Sequence, residues 1–463
     1  MAQISRRHFT IGAAAGLTMG RYTFGEVLSP GQPSYPGPWY SDPPADCPFT
    51  SSIKYDGLYF TGRHQQYAHA DTWYPSWASD GVQYSSFADG TVLNAKGQKV
   101  SASCGSGFHS NTGYAKILGD DPMDLDVIAL GIWPGSGMPY GGRYPCANLV
   151  HDGIWYYGTY CCDINYRVVK DVTYNWAWLG PFMGCRYSRD YGRTWVESPC
   201  KPWAPLFPES IGDKGVQLHA LEHRKKDALG DKPGTDVASQ IPGLPLPQLG
   251  VMHFVDFGKN MRHSPDGKAY IVGHGNAPNT PHPKLGAVSW LSGNAIYLIR
   301  VSISPETVND ASRYEFFAGY DEAGKPRWTR HYSQMKPMLE WINHLGSVTV
   351  TYNPVLKKYL MCIADGWPST RMISTILMES DNVAGPWRMV CYLKDFGTQG
   401  YFVNIPSKFI QSDGETFWLC YSANFTNGWL QTHYRSDPSG SRYGLCVQEV
   451  RLKRHTVRGN QTR

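Results

Sequence analysis

One local pattern constrains this chain more than any other feature: an extended run, a tight Asp-Gly turn, then an aromatic strand. It occurs at Ile53–Phe60, Trp77–Tyr84, Leu149–Tyr157, His263–Tyr270 and Phe409–Trp418, and with a longer turn at Tyr352–Tyr359. Asp-Gly supplies the positive φ angles that short hairpins need, and the flanking aromatics suit a pleated surface. Long helical periodicity is missing, and the best helical candidate is a short turn around Ser304–Ser312. A chain built of hairpins must deal with its strand edges, and closing the sheets radially does so.

Composition narrows the class. Aromatic residues make up 14% of the 463 positions, and 43 Lys and Arg against 38 Asp and Glu leave a net charge of only +5. Disordered and coiled-coil chains carry far more charge and fewer aromatics. A nucleic-acid binder would show a basic stripe, whereas the Lys and Arg runs here are short, as in the tail Arg451–Arg454. No run of about 18 apolar residues exists to form a membrane-crossing helix. Eleven cysteines, an odd count, leave at least one thiol unpaired. Cys362 and Cys420 sit inside apolar runs and read as buried small hydrophobes. The adjacent Cys161 and Cys162 do not have metal spacing, so no zinc or iron–sulfur site is expected.

The segment Ser5–Thr10, with Arg6-Arg7 and then Phe9, precedes the weakly apolar Ile11–Met19 and resembles a twin-arginine export signal. That resemblance implies the twin-arginine export machinery as a partner and a periplasmic or extracellular destination; an ordinary basic N-terminus is the alternative. The organisation expected is a signal over 1–25, a Pro/Gly-rich arm over 26–50, one domain over 51–452 and a basic tail over 453–463.

A second hairpin type is interleaved with the first. Ser188–Trp195 fits the S-x-D-x-G-x-T-W pattern of the Asp box, found between outer strands of sialidase-like propeller blades. Ser380-Asp381 followed by Gly385-Pro386-Trp387 resembles an outer-strand turn of five-bladed glycosidases. Pairing each Asp-Gly hairpin with the outer hairpin that follows gives five units, starting near Asp71, Arg143, His253, Trp341 and Tyr401, with the hairpin at Asp56-Gly57 completing the last. The expected fold is an all-β, five-bladed β-propeller. Seven blades is the alternative, with irregular blades inside the insertions 97–140 and 199–250.

Propellers gather the starts of their innermost strands around an axial funnel, so chemistry is sought just before each Asp-Gly hairpin. Those positions hold three carboxylates, Asp71, Asp256 and Glu340. Cleaving a glycosidic bond takes one carboxylic acid to protonate the leaving oxygen and a carboxylate as base or nucleophile. The working assignment makes Asp71 the base, Glu340 the acid and Asp256 the modulator of the acid's pKa. Trp73, Trp77 and Trp341 are candidates for stacking on sugar faces, Arg143 for holding a carboxylate, and His109, His344 and Asn404 for further substrate contacts.

This arrangement resembles the five-bladed propeller glycosidases of glycoside hydrolase families 43 and 117. The resemblance implies an Asp, Asp, Glu order from inner-strand starts and arabinan, xylan or agar-type substrates. Arg143 stands where family 43 has its pKa-modulating Asp, and Glu340 comes one unit late.

Two alternatives stay open. A polysaccharide lyase would use His274 and Tyr144 to abstract a proton beside a uronate, with Arg143 neutralising its carboxylate. A non-catalytic sugar-binding propeller would need only the aromatics. The expected partner is a polysaccharide or oligosaccharide in every case. No motif demands a cofactor, and a calcium ion in the propeller channel is the one metal left open.

Overall fold

The computed structural model describes residues 36–138, 140–163, 167–169, 172–174, 178–209, 247–278, 289–368, 371–425 and 436–455. Five of the six recurrent turns do what their chemistry requires: each joins the innermost strand of a blade to the next strand out. The loop 78–82 closes by hydrogen bonds between Ala78 and Val82. Asp152-Gly153 turns with φ of 48° and 75°, the left-handed pair of a two-residue hairpin. The turns after Ser264, after Asn353 and after Gln411 complete the set, with Gly267, Lys357 and Gly414 at positive φ.

The result is a five-bladed β-propeller. The first blade runs outward from His69–Asp71 and Ser76–Trp77 through Gln83–Leu93, Asn111–Leu118 and Asp126–Pro134, with Lys99–Ala102 paired to Gln83–Leu93. The second is Gly142–His151, Ile154–Asp163 and Trp178–Ser188. The third is Met252–Phe254, Ala269–Gly275, Ala295–Val301, Glu315–Tyr320 and Pro326–Thr329. The fourth is Val348–Asn353, Lys358–Asp365, Ser374–Ser380 and Arg388–Leu393. The fifth is Tyr401–Asn404, Thr416–Ser422 and Leu445–Arg454, and its outer partner comes from the other end of the chain, Tyr55–Tyr67. N-terminal chain therefore closes the ring, as the sequence suggests, but Asp56-Gly57 is not a hairpin. It lies inside Tyr55–Tyr67, where the pairing shifts between Tyr55 and Gly57, a bulge rather than a reversal.

Innermost strands have no ladder partner on their axial side, so their polar groups need other partners. Neighbouring blades supply them. Asn148 Nδ2 donates to Tyr74 O (2.6 Å) and Tyr84 O (2.7 Å), while Trp155 Nε1 donates to its Oδ1. Thr349 and Thr351 donate to Val403 O and Ile405 O, both at 2.7 Å, and Asn404 Nδ2 donates to Trp73 O across the closing seam.

The motif turns are structural. In the Asp box, Asp190 accepts from Thr194 N, Thr194 Oγ1 and Ser188 Oγ, which holds its carboxyl down at about 2. Trp195 packs against Trp155, Tyr157, Tyr114 and Trp133. The fully buried Arg186 guanidinium lies 4.3 Å from the Tyr157 ring centre and 5.6 Å from that of Trp195. All eleven cysteines are free thiols, Cys362 and Cys420 among the buried ones.

Candidate active site

The two ends of the propeller differ. One end is the ring of short Asp-Gly turns. At the other end the inner strands begin, and there the longer connections are anchored, which is where loop-borne function is sought.

At that end, on the seam between the fifth and first blades, lies Asp71. Its carboxylate is 8% exposed, accepting from Tyr401 OH at 2.7 Å and Thr72 Oγ1 at 2.9 Å. Burial raises its pKa well above the ordinary carboxylate range, and the like charge of Asp89 adds to the rise. Asp89 is raised too, by burial, against the opposing pull of the Cys104 and Gly105 amides. Tyr443 donates its hydroxyl to the Asp89 carbonyl and joins the same cluster. Backbone strain concentrates here: Thr72, Asp89 and Phe402 sit at φ of 63°, 34° and 53°. Left-handed conformations cost such residues about 1–3 kcal/mol each and cluster at functional sites.

Aromatic rings from the third and fifth blades adjoin Asp71. Trp290 stands edge-on to Tyr401 at 5.3 Å and contacts Phe402 (5.1 Å) and Phe425 (5.7 Å). Trp290 O accepts from Ser347 N, and Gly293 O and Asn294 O accept from Leu345 N and Trp341 N, tying this segment to the chain before the fourth inner strand. That chain carries His344. Its Nδ1 faces Asp365 Oδ2 at 2.8 Å, and Tyr392 OH and Trp367 N donate to the same carboxylate. Trp341 stacks flat on the imidazole, 4.1 Å between centroids at 16°. A carboxylate on Nδ1 assigns the proton there in the neutral ring and leaves Nε2 as the working nitrogen.

The three expected carboxylates are not brought together. Asp256 follows a third inner strand only three residues long, so it lies at the opposite end, beside the hairpin turns. There it accepts from Ser407 N, Ser407 Oγ and Gly258 N and staples the third blade to the fifth. Glu340 is exposed and pairs opposite Ala295 as an edge of the third blade rather than opening the fourth.

Two of the three expected stacking tryptophans are core residues. Trp73 is buried against Phe87 and donates to Ala70 O; Trp341 is covered by His344 and Phe49. Trp77 lies at the turn end. Asn404 is an interblade clamp, and His109 is exposed in the turn Gly107–His109.

The lyase set is not assembled either. His274 is fully buried, with Nε2 on Ser289 O at 2.7 Å, and burial lowers its pKa to about 4. Arg143 Nε donates to Thr159 Oγ1 and faces Glu197, and Tyr144 packs on Tyr160.

An axial cavity of ≈ 40 Å³ lies between Asp256 and His253, lined also by Tyr74, Asn148, Thr349 and Asn404. The Tyr74 hydroxyl and His253 Nε2 border it without a hydrogen-bond partner among the described residues. That suits about three ordered waters. Calcium takes six to eight oxygen ligands. Among the described residues no group of three His, Cys, Asp or Glu gathers to hold a metal, and Asp256, the one carboxylate lining the cavity, already accepts three hydrogen bonds, so the lining does not fit calcium.

Sequence reasoning missed Asp89, Tyr443, Asp365, Tyr392 and Trp290. Asp89-Gly90 did carry a signal, but one that reads as a turn.

No protein-family model and no curated protein matches the sequence. Solved structures of similar fold include an α-L-arabinofuranosidase from Podospora anserina (11% identity, TM-score 0.37, covering 87% of this chain and 96% of that one). A GH43 enzyme from Xanthomonas citri gives 11% identity and a TM-score of 0.37 over 84% of this chain and 89% of that one. A family 117 glycoside hydrolase from Zobellia galactanivorans gives 7% and 0.37 over 84% and 90%. At these identities and TM-scores the likeness carries no argument, and fold and chemistry alike rest on the residues of this chain.

Proposed function

We propose that the protein is a glycoside hydrolase acting on a polysaccharide or oligosaccharide at the inner-strand starts, with Asp71 as general base and His344 as general acid. The observation that carries this reading is the Asp71 carboxyl, raised by burial and held by Tyr401 and Thr72 beside the Trp290, Phe402 and Phe425 rings. Asp71 is a group whose proton is exchangeable near neutral pH, set beside rings that are themselves buried.

In the proposed step, water attacks the anomeric carbon as its proton passes to Asp71. The glycosidic C–O bond breaks, and the leaving oxygen takes a proton from Nε2 of the His344 imidazolium. Asp365 and Tyr392 hold the ring in register. Chemistry at this end leaves Asp256 outside the reaction.

Product analysis tests the reading: purified protein is incubated with a panel of plant, algal and microbial polysaccharides, and reducing ends and unsaturated uronates are followed together. New reducing ends without unsaturation support hydrolysis; unsaturated products, or retention of one polysaccharide in affinity gels without turnover, refute it.

The twin-arginine-like segment lies outside the described residues. We propose export by that route, which would carry a folded, thiol-rich protein across intact. Replacing Arg6 and Arg7 with Lys should then trap the protein in the cytoplasm.

A further inference from the structure

The second strand of the first blade changes partners in its middle. Gln83–Phe87 pairs with Asn111–Leu118, whereas Gly90–Leu93 pairs with Lys99–Ala102. Between these halves the ladder to His69–Asp71 slips: His69 lies opposite Thr91, but Asp71 lies opposite Ala88. The residues at the slip are Asp89 and Gly90. A side chain at Gly90 would place its Cβ 2.1 Å from His69 O, so only glycine lets the inner strand approach this closely. Asp89 takes φ of 34°, a left-handed conformation that a non-glycine residue keeps only when its surroundings impose it. Bulges of this kind re-aim a side chain, often beside an active site.

The re-aimed carboxylate is held from the loop after Lys99–Ala102. Its Oδ1 accepts from Cys104 N at 2.7 Å, while its backbone carbonyl accepts from Tyr443 OH. The titratable groups around the pair are Tyr401 from the fifth inner strand, Tyr443 from the chain before Leu445, Cys104 from the loop after Lys99–Ala102, Tyr74 from the connection between His69–Asp71 and Ser76–Trp77, and His69, whose ring lies 5.2 Å from that of Tyr443. Tyr401, Tyr443, Cys104 and Tyr74 are all neutral across the working range, each held up by burial, and so none of them neutralises a second negative charge.

We propose that Asp89 is the positioning residue of the site: the bulge at Asp89–Gly90 sets it against Asp71 so that the two carboxylates hold one proton between them. The inference rests on the hydrolase reading for its consequence but not for its test. In the one-proton state the pair carries a single negative charge. It accepts the proton released by the attacking water, becomes neutral, and returns that proton to solvent before the next turnover. Asp89 acts through Asp71 and does not touch the sugar.

Infrared titration of the neutral-carboxyl C=O stretch tests this without any substrate, using the full chain and the variants Asp89→Asn and Asp71→Asn. In the first variant the introduced amide oxygen can still accept from Cys104 N. In Asp89→Asn the Asp71 midpoint should fall by about one pH unit, tenfold in proton affinity, because the like charge has gone. Asp71→Asn should lower the Asp89 midpoint by less, because Asp89 gives up most of its proton while Asp71 is still neutral, and Asp89→Ser serves where Asp89→Asn does not fold. Midpoints that stay put in the folded variants would overturn the proposal and make Asp89 only a cap for the Cys104 turn. Shifted midpoints in a protein that hydrolyses no glycan would leave the proton pair standing and refute the hydrolase reading instead.

Discussion

Tyr401 donates its hydroxyl to Asp71 Oδ2 at 2.7 Å across the seam where the last blade meets the first. The bond joins residues 330 positions apart, so the central carboxylate is correctly placed only when N-terminal strand Tyr55–Tyr67 has closed the ring. A hydrogen bond to the charged carboxylate favours that form. Tyr401→Phe should therefore raise the Asp71 pKa further. The acid limb of the rate profile should move to higher pH, with a loss of about 10–100-fold in kcat at pH 6 and a smaller one at pH 8.

Asp71→Asn should cost function and add stability. Because the folded pKa is raised, Asp71 favours the folded state fully below the ordinary carboxylate range, and that contribution is lost as pH rises through the raised value. Asparagine cannot titrate and escapes the loss. Equilibrium unfolding should show the variant gaining on the natural protein with rising pH, by about 1–3 kcal/mol at pH 8.

The buried histidines work in the opposite direction. Burial lowers His253 to about 3 and His274 to about 4. Below about pH 6.5 the unfolded chain binds protons that the folded rings refuse, so stability falls as pH falls, by about 1.4 kcal/mol per pH unit for each ring, until the folded rings protonate. In His274→Gln, whose side-chain amide can still donate to Ser289 O, the slope between pH 4 and 6 should be reduced by the share of one ring. An unchanged slope would assign the acid sensitivity elsewhere.

His344→Gln and Asp365→Asn should each lower kcat by about 10²–10⁴-fold and leave the melting temperature nearly unchanged in the first case. Asp365→Asn removes the acceptor that orients both His344 and Tyr392, so it should also soften the fourth blade.

Arg186 carries no chemistry and should be the costlier residue for folding. Burial pulls its guanidinium down to about 10, and its compensation is the cage of Tyr157, Trp133 and Trp195 together with Thr112 Oγ1. Arg186→Ala should destabilise by about 3 kcal/mol in denaturant unfolding, with kcat unaffected in the fraction that stays folded.

What could be read from the sequence was whatever depends on neighbours in the chain. Asp152-Gly153 and Asp190–Trp195 are closed by their own residues, so turn chemistry located them and, by repetition, the blades. Asp71 could be placed on an inner strand because it lies a few residues ahead of the Trp77–Tyr84 hairpin. Asp256 was misplaced because that reading assumes a longer strand: the third inner strand ends at Phe254, and two residues move a carboxylate from the funnel to the turns. Asp89-Gly90 looks like one more turn, and only the pairing of Asp71 with Ala88 shows it to be a bulge. Tyr443 and Asp365 enter from the far ends of strands, where no local pattern marks them. The tryptophans misled for a physical reason, since indoles filling the wedges between blades are spent on packing.

The most direct test of the account is the rate of reducing-end release by Asp71→Asn beside Asp256→Asn, on whichever glycan the natural protein cleaves. The account predicts that Asp71→Asn loses at least about 10³-fold while folded Asp256→Asn keeps its turnover. Loss in Asp256→Asn with activity retained in Asp71→Asn would place the chemistry at the other end of the propeller and contradict it.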